Sequence, residues 1–320
     1  MTELYPWLTP LWQQWQANLQ ADRFSNAALL IAEEGMGAGQ LTEKFSQAVM
    51  CQNYPAEACG FCHGCQLMQS HSHPDFHIIK PEKEGKSITV EQIRQCNRIA
   101  QESSQLSGTR LFVIEPAEAM NESAANALLK TLEEPSSSCM FLLVAHRSNT
   151  LLPTITSRCQ QWHLVPPSSS EVAQWLSSQN VGQVPAYVAH LNGNAPLLAL
   201  EFLQQDKAKQ YTELEQSLLA VCQNQGDAIK LAKDLSSGHL ESLTWVWYLL
   251  TDAQKVHYGL SDSVFVPGAE LLSKALDYQT LYSQAQALTK LQDQLRLHTG
   301  LNAELLILDW LFKFHEESCS

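Results

Sequence analysis

Four cysteines crowded into one short stretch are the residues best suited to chemistry in this chain. They follow the spacing C-x7-C-x2-C-x2-C and are Cys51, Cys59, Cys62 and Cys65. Zinc is bound tetrahedrally by four thiolates, and a complete set of four leaves no open coordination position. The pattern therefore predicts a structural metal site and not a catalytic one. Zinc is the favoured ion, and an iron–sulfur cluster is the competing assignment, because the last three cysteines also form a C-x2-C-x2-C run.

Two other interpretations of this stretch compete with a four-cysteine metal site. Four free buried cysteines would need no ion at all, but such bunching in a chain without an export signal favours a metal. Histidines close by offer replacement ligands, although we expect them to be exposed loop residues. These histidines are His63, His71, His73 and His77.

A glycine-rich segment after the first apolar run stands where a phosphate-binding loop would lie. Such a loop needs Gly, any four residues, Gly, Lys, and then Ser or Thr. Here those positions hold Ala32, Gly37, Ala38 and Gly39. The ammonium that would reach the β- and γ-phosphates and the hydroxyl that would hold magnesium are both missing. Together with Gly35, the glycines can still form a turn, and the following helix N-terminus would attract an anion only weakly.

The stretch from Leu111 to Cys159 reads as a strand, a helix and a second strand. The apolar runs 111–114 and 140–144 are short and bounded by turn residues, as is typical of parallel strands buried on both faces. Asn121 is predicted to cap the helix between them, and Pro135 is predicted to end it. The apolar face of this helix consists of Ala125, Leu128, Leu129 and Leu132. A third strand is expected in the apolar segment 162–165.

Two capping boxes predict the starts of further helices. Thr89 is followed three residues later by Gln92, and Ser168 by Glu171.

Two motifs in the stretch from Leu111 to Cys159 resemble the ATPase domain of the bacterial AAA+ clamp loaders. Residues 126–135 read Asn-Ala-Leu-Leu-Lys-Thr-Leu-Glu-Glu-Pro, close to a family signature, and Ser157-Arg158-Cys159 matches the arginine-finger motif. The four-cysteine spacing also matches a pattern found in that family. The resemblance implies that Arg158 acts in trans on the ATP of a neighbouring subunit. On spacing alone, an ion pair between Arg158 and a nearby carboxylate would be the simpler interpretation.

The resemblance also exposes a second defect in the nucleotide site. Working members place Asp-Glu after the strand 111–114, whereas this chain has Glu115 and Pro116. Glu115 keeps a carboxylate, but proline cannot act as a general base. At the first sensor position, His146 and Arg147 are expected to be surface or hydrogen-bonding residues, and Pro196 stands where a second-sensor arginine would be. We therefore expect no ATP hydrolysis by this chain.

Composition limits the choice of function. The chain has 320 residues, 45% of them hydrophobic, and a formal net charge of −13. DNA binding rests largely on neutralising phosphates with Lys and Arg, so an acidic chain is a poor stand-alone DNA binder. No apolar run is long enough to span a membrane. The N-terminus lacks the features of a signal peptide, so a cytoplasmic location is expected.

The expected fold is an α/β AAA+ domain with a RecA-like parallel sheet, followed by helical domains. We place the α/β domain at 1–166, with the cysteine module 51–65 embedded in it. A small helical lid is expected at 167–205, and an α-helical collar domain that mediates oligomerisation at 206–320. The Pro166-Pro167 pair marks the first boundary, since two prolines form a stiff break.

The resemblance implies a non-hydrolysing subunit that works within a larger assembly. Its partners would be the gamma/tau and delta subunits in a pentameric ring, which loads the sliding clamp onto primer-template DNA. The polymerase chemistry would belong to other chains of the DNA polymerase III holoenzyme. Two alternatives remain at this point: an active P-loop ATPase with a divergent loop, and a zinc-containing DNA-binding module.

Overall fold

The computed structural model divides into two compact units, 1–166 and 167–320. It describes residues 4–83, 85–106, 108–134, 136, 138–260, 265–298 and 300–316. The predicted helix stop at Pro135 falls outside these residues. None of the described helices combines the length and the apolar composition needed to cross a bilayer.

A parallel sheet forms the centre of the first unit. Its strands are β1 (Ala27–Ile31), β2 (Phe76–Ile79), β3 (Arg110–Ile114), β4 (Cys139–Ala145) and β5 (Gln160–His163). Among the described residues the sheet has five strands in the order β2-β3-β4-β1-β5, and every neighbouring pair is parallel. The predicted parallel α/β fold is confirmed, although β5 begins and ends two residues before the predicted 162–165.

Helices accompany the sheet in the order of the chain. They are α1 (Thr9–Gln20), α2 (Ala38–Val49), α3 (His63–Gln69), α4 (Val90–Ala100), α5 (Glu122–Glu133) and α6 (Pro153–Thr156). The local signals for two of them are confirmed. Asn121 caps α5 by accepting a hydrogen bond from the Ala124 N–H, and Thr89 and Gln92 form a capping box at α4.

The core of this unit explains why β3 and β4 read as unbroken apolar runs. All residues of both strands are buried, and the rings of Phe112 and Phe141 stack across the two strands at 4.9 Å. The strands also set the position of functional residues. Because parallel strands end at one edge of the sheet, the segments after Ile31, Ile114 and Ala145 emerge side by side.

An ion pair that was not predicted from the sequence connects the starts of β2 and β3. Arg110 and Asp75 are almost completely buried and 3.0 Å apart. The carboxylate also accepts the backbone N–H groups of Gln105 and Leu106. The guanidinium donates to backbone carbonyls of the α4 C-terminal region, including that of Ser103. Both charges are therefore compensated, as buried charges must be.

The described part of the second unit is helical. Its helices are α7 (Ser169–Ser177), α8 (Tyr187–Leu191), α9 (Pro196–Gln204), α10 (Lys207–Cys222), α11 (Ala228–Ser237), α12 (His239–His257), α13 (Ala269–Ala275), α14 (Tyr278–Leu297) and α15 (Ala303–Glu316). The predicted capping box of Ser168 and Glu171 opens α7. One hydrophobic core extends from Val172 to Phe314. The division of this unit at 205/206 into lid and collar stays a prediction.

A buried carboxylate fastens a connecting segment inside the second unit. Asp252 on α12 is inaccessible to solvent and lies 3.1 Å from His190 Nε2 and 2.6 Å from Lys255 Nζ. It also accepts the backbone N–H groups of Phe265 and Val266. Burial alone would raise the pKa of Asp252, but these hydrogen bonds outweigh it and lower the pKa to about 2.

Candidate functional site

The structure brings the four clustered cysteines together. Their sulfur atoms all lie within 4.8 Å of one another, and Sγ of Cys59 and Sγ of Cys65 are 3.9 Å apart. A tetrahedral zinc site with Zn–S bonds of about 2.3 Å requires sulfurs about 3.8 Å apart, so the spacing fits such an ion. The cluster can hold a metal ion, and four thiolates would fill its coordination sphere.

Local structure explains how the cysteines converge. Cys62 caps the N-terminus of α3 and Cys65 lies in its first turn, where the Cys65 N–H donates to Cys62 Sγ at 3.4 Å. Gly64, between them, lets α3 approach the end of α2, because a Cβ at this position would overlap the carbonyl oxygen of Met50. Cys51 directly follows Met50, so the same close approach brings its sulfur to the other three.

Hydrogen bonds to the sulfurs favour the thiolate form. The N–H of Cys59 donates to Cys51 Sγ, the N–H of Cys62 donates to Cys59 Sγ, and the Asn53 amide donates to Cys59 Sγ at 3.3 Å. Against the opposing effect of burial, hydrogen bonds lower the pKa of Cys59 and Cys62, whereas burial raises that of Cys65. A bound cation would favour deprotonation of all four.

The nearby histidines stay out of this cluster, whose metal-binding group within the described residues consists of cysteines alone. His63 and His71 are exposed, as expected. The expectation is wrong for the other two. His73 is buried, and His77 lies on β2 with its ring stacked on Phe112 at 5.0 Å. His73 and His77 are positioned by packing at the sheet, which the polar composition of this segment did not indicate.

The remaining described cysteines lie outside the cluster, and burial disfavours their thiolate forms. Burial raises the pKa of Cys96 to about 12, of Cys159 to about 11 and of Cys222 to about 12, and it also raises that of Cys139. These thiols are therefore poor nucleophiles and poor metal ligands, since the thiolate is the form that acts in both roles.

The glycine-rich loop forms a turn at the start of α2. Gly35 and Gly37 have φ values of 77° and 72°, which favour glycine, and Gly37 is the N-cap of α2. Between them, Met36 is fully buried, and its carbonyl accepts the indole N–H of Trp7 at 2.8 Å. No side chain in the Ala38-Gly39 pair that follows can hold a phosphate or a magnesium ion.

Carboxylates gather where the neighbouring strands end. Glu115, after β3, is 3.6 Å from Lys80 and precedes Pro116 in a cis peptide bond. Glu118 Oε1 lies 2.7 Å from His146 Nδ1 and accepts the His146 backbone N–H at 3.0 Å. The hydrogen bond to Glu118 raises the pKa of His146, and the charges of Glu34 and Glu115 act in the same direction. The predicted hydrogen-bonding role of His146 is confirmed.

Arg158 forms an ion pair with Glu133 in this chain. Its Nε donates to Glu133 Oε1 at 2.7 Å, its Nη2 donates to the same oxygen, and its Nη1 donates to the Thr154 carbonyl at 2.9 Å. Both side chains remain partly exposed. The sequence interpretation allowed a carboxylate partner without identifying it, because the two residues are 25 positions apart.

Comparisons with known proteins agree over nearly the whole chain. The family described as DNA polymerase III, delta subunit, matches residues 7–168, and its C-terminal family matches residues 205–316. The DNA polymerase III subunit delta' of Haemophilus influenzae is 34% identical over 99% of this chain and 98% of its own length. The subunit delta' of Escherichia coli K12 is 35% identical, with 97% and 94% covered. That of Pseudomonas aeruginosa is 32% identical, with 97% and 98% covered.

Proposed function

This chain belongs to the delta-prime family of DNA polymerase III subunits, and from that premise we propose that it is a non-hydrolysing subunit of the replicative clamp loader. It would assemble with gamma/tau and delta subunits in a pentameric ring. The ring would use ATP bound by other subunits to load the sliding clamp at primer-template DNA. The chain itself would contribute structure and one catalytic side chain.

Arg158 would be that side chain, acting on the ATP of a neighbouring subunit. The observation that carries this role is the partly exposed guanidinium, held in place after α6 by contacts with Glu133 and Thr154. A guanidinium is permanently charged and can bond two phosphate oxygens at once. The Ser157-Arg158-Cys159 motif supports the same role by resemblance.

The chain's own nucleotide site would be silent. Ala38 and Gly39 cannot replace the Lys and Ser/Thr of a working loop. At the neighbouring strand ends, Glu34, Glu115 and Glu118 act together on His146. His146, at the first sensor position, is hydrogen-bonded to Glu118, and Pro116 stands where a working member has Glu.

The cysteine cluster would hold one structural zinc ion. Cys51, Cys59, Cys62 and Cys65 would supply all four ligands, so the ion would fasten the segment after α2 to α3 and would take no part in hydrolysis. In the second unit we propose a lid at 167–205 and a collar at 206–320. The start of the C-terminal family match at residue 205 supports this division.

The test is Arg158→Ala in a clamp loader reconstituted from gamma, delta and this chain. Fingers supplied in trans are worth about 10³–10⁵ in rate at the site they serve. Bulk turnover should fall less, because other ATP sites in the ring stay intact. We expect slower clamp- and DNA-stimulated ATP hydrolysis and impaired clamp loading, with unchanged ring assembly. Arg158→Lys should restore the rate only partly, because an ammonium is a point charge and not a fork.

Arg94→Ala provides a matched control. Arg94 also forms a partly exposed ion pair, with Glu91 at 3.2 Å, but it lies on α4. Its loss should leave ATP turnover and clamp loading unchanged. If the Arg158→Ala complex loads clamps and hydrolyses ATP at the rate of the unmodified complex, the finger role is wrong.

A further inference from the structure

The contacts of Arg158 use only part of its hydrogen-bonding capacity. A guanidinium has five N–H donors. Among the described residues, Nε and Nη2 each direct one N–H to the same oxygen of Glu133, and Nη1 directs one to the Thr154 carbonyl. Two N–H donors are left, one on each terminal nitrogen.

The side of the guanidinium that Glu133 contacts decides which donors are left. The carboxylate oxygen bridges Nε and Nη2, which form the lateral edge of the group. The terminal edge, formed by the two Nη atoms, is not contacted by Glu133. Bidentate recognition of a phosphate needs two parallel N–H donors of this kind. Glu133 therefore holds the arginine without occupying the pair of donors that an incoming phosphate requires.

Glu133 itself is carried by a firmly packed helix. It is the last residue of α5, whose Leu128 and Leu132 are buried in the core. Asn97 on α4 ties this helix down twice, because its amide donates to the Ala127 carbonyl at 2.7 Å and accepts the Thr131 hydroxyl at 2.9 Å. The carboxylate thus has a fixed base from which to orient a neighbouring side chain.

We propose that Glu133 is the positioning residue for Arg158, orienting the guanidinium so that its terminal edge meets the triphosphate of the neighbouring subunit. The inference rests on the proposed finger role. Glu133 belongs to the signature 126–135, and neither hydrophobic burial nor helix capping explains why an acidic residue stands at this position. A positioning role gives such an explanation. Orientation before binding matters because a displacement of about 1 Å can cost about 10²-fold in rate.

The decisive variants are Glu133→Ala and Glu133→Gln in the reconstituted clamp loader. Alanine removes the acceptor, so we expect hydrolysis at the site served by Arg158 to fall by about tenfold, an intermediate loss on the scale of misplaced catalytic groups. Glutamine keeps an oxygen at the same position, so it should recover most of the rate. Glu134→Ala is the matched control, because the Glu134 side chain makes no ion pair with any described residue.

A double substitution separates positioning from a general structural effect. Once Arg158 is alanine, Glu133 has nothing to position, so Glu133→Ala should slow hydrolysis no further. An additional loss in the double variant would overturn the proposal. So would a faster rate in Glu133→Ala alone, because that result would make Glu133 a competitor of the phosphate.

A measurement on the isolated chain tests the contact without ATP or partners. The Nε–H resonance of Arg158, identified by its absence in Arg158→Ala, should exchange slowly with water in the unmodified protein and in Glu133→Gln. It should exchange rapidly in Glu133→Ala. Equal exchange in all three would overturn the positioning contact. An unchanged hydrolysis rate in Arg158→Ala would instead overturn the finger role, so the two failures are distinguishable.

Discussion

Asp252 illustrates how one buried charge fixes the path of the chain in the second unit. It accepts hydrogen bonds from the side chains of His190 and Lys255 and from two consecutive backbone N–H groups, so α8, α12 and the segment at 265–266 share one carboxylate. Removal of a partner from such a group leaves other charges buried and uncompensated, which is costly.

We predict that Asp252→Asn lowers the free energy of unfolding by about 3 kcal/mol, the typical cost of breaking a buried charge pair. Asn keeps one acceptor oxygen but cannot compensate the Lys255 ammonium or a protonated His190. Chemical denaturation monitored by circular dichroism measures the change. Asp309→Asn is the control, because the Asp309–Lys313 pair is exposed and its loss should change stability by less than about 1 kcal/mol.

The low pKa of Asp252 predicts how the free energy of unfolding depends on pH. Folding depresses the pKa of Asp252 to about 2 from about 3.9 in an unfolded chain. Its ionised form therefore contributes stability above about pH 4, and that contribution is lost as the pH falls toward 2. The difference in unfolding free energy between the unmodified protein and Asp252→Asn should shrink over this interval. A difference that stays constant from pH 5 to pH 2 would contradict the assignment.

At the scale of elements, signals within a few residues were readable in the sequence. The capping boxes at Thr89 and Ser168 and the cap at Asn121 all occur as predicted, because each depends on neighbours within one helical turn. The convergence of the four cysteines was also predicted from their spacing, although the close approach at Gly64 that brings Cys51 to the other three was not.

Features that depend on contacts between residues far apart in the sequence were harder to predict. The predicted range of β5 was two residues too late. The prediction followed the apolar residues from Trp162, whereas the strand that pairs with β1 includes Gln160 and Gln161. The Asp75–Arg110 pair spans 35 positions. No local pattern indicates which acidic residue will meet a given arginine at that distance, and the partner of Arg158 escaped prediction for the same reason.

The module formed by α3 and the preceding cysteines should depend on its metal. We expect one zinc ion per chain, and Cys62→Ser should release it and loosen the segment 51–65. The strands lie outside that segment, so the parallel sheet should survive. Elemental analysis and amide hydrogen exchange would measure the two effects. Cys96→Ala, which removes a buried thiol of α4, should keep the metal, and finding iron in the unmodified protein would disprove the zinc assignment.

The turn before α2 and the strand ends beside it should fail to bind nucleotide. Isothermal titration of the isolated chain with ATP and magnesium should give no tight association, because the loop lacks its lysine and hydroxyl and Pro116 stands where working members have a carboxylate. Micromolar affinity would contradict this prediction and revive the alternative of an active ATPase with a divergent loop.

At the scale of the whole molecule, charge governs which partners the chain can bind alone. With a net charge of −13, it has little means of releasing counterions from DNA. We predict that the isolated chain binds primer-template DNA only weakly at physiological salt, at or above the range of about 10⁻⁴–10⁻⁶ M typical of non-specific binding. Fluorescence anisotropy across a salt series would measure this. Tight binding with a steep salt dependence would favour the DNA-binding module instead.

The four clustered cysteines and the described cysteines outside the cluster should differ in their reactivity, so chemical labelling can report the metal content of the protein. An alkylating reagent applied under native conditions should react slowly with Cys96, Cys139, Cys159 and Cys222, because burial raises the pKa of these thiols and disfavours the thiolate. Cys319 lies outside the described residues, and comparison with a Cys319→Ser variant would show how much of the labelling this residue accounts for. Each remaining mass increment would then mark a sulfur without its ion, so the intact mass of a sample would report the fraction of metal-free chains.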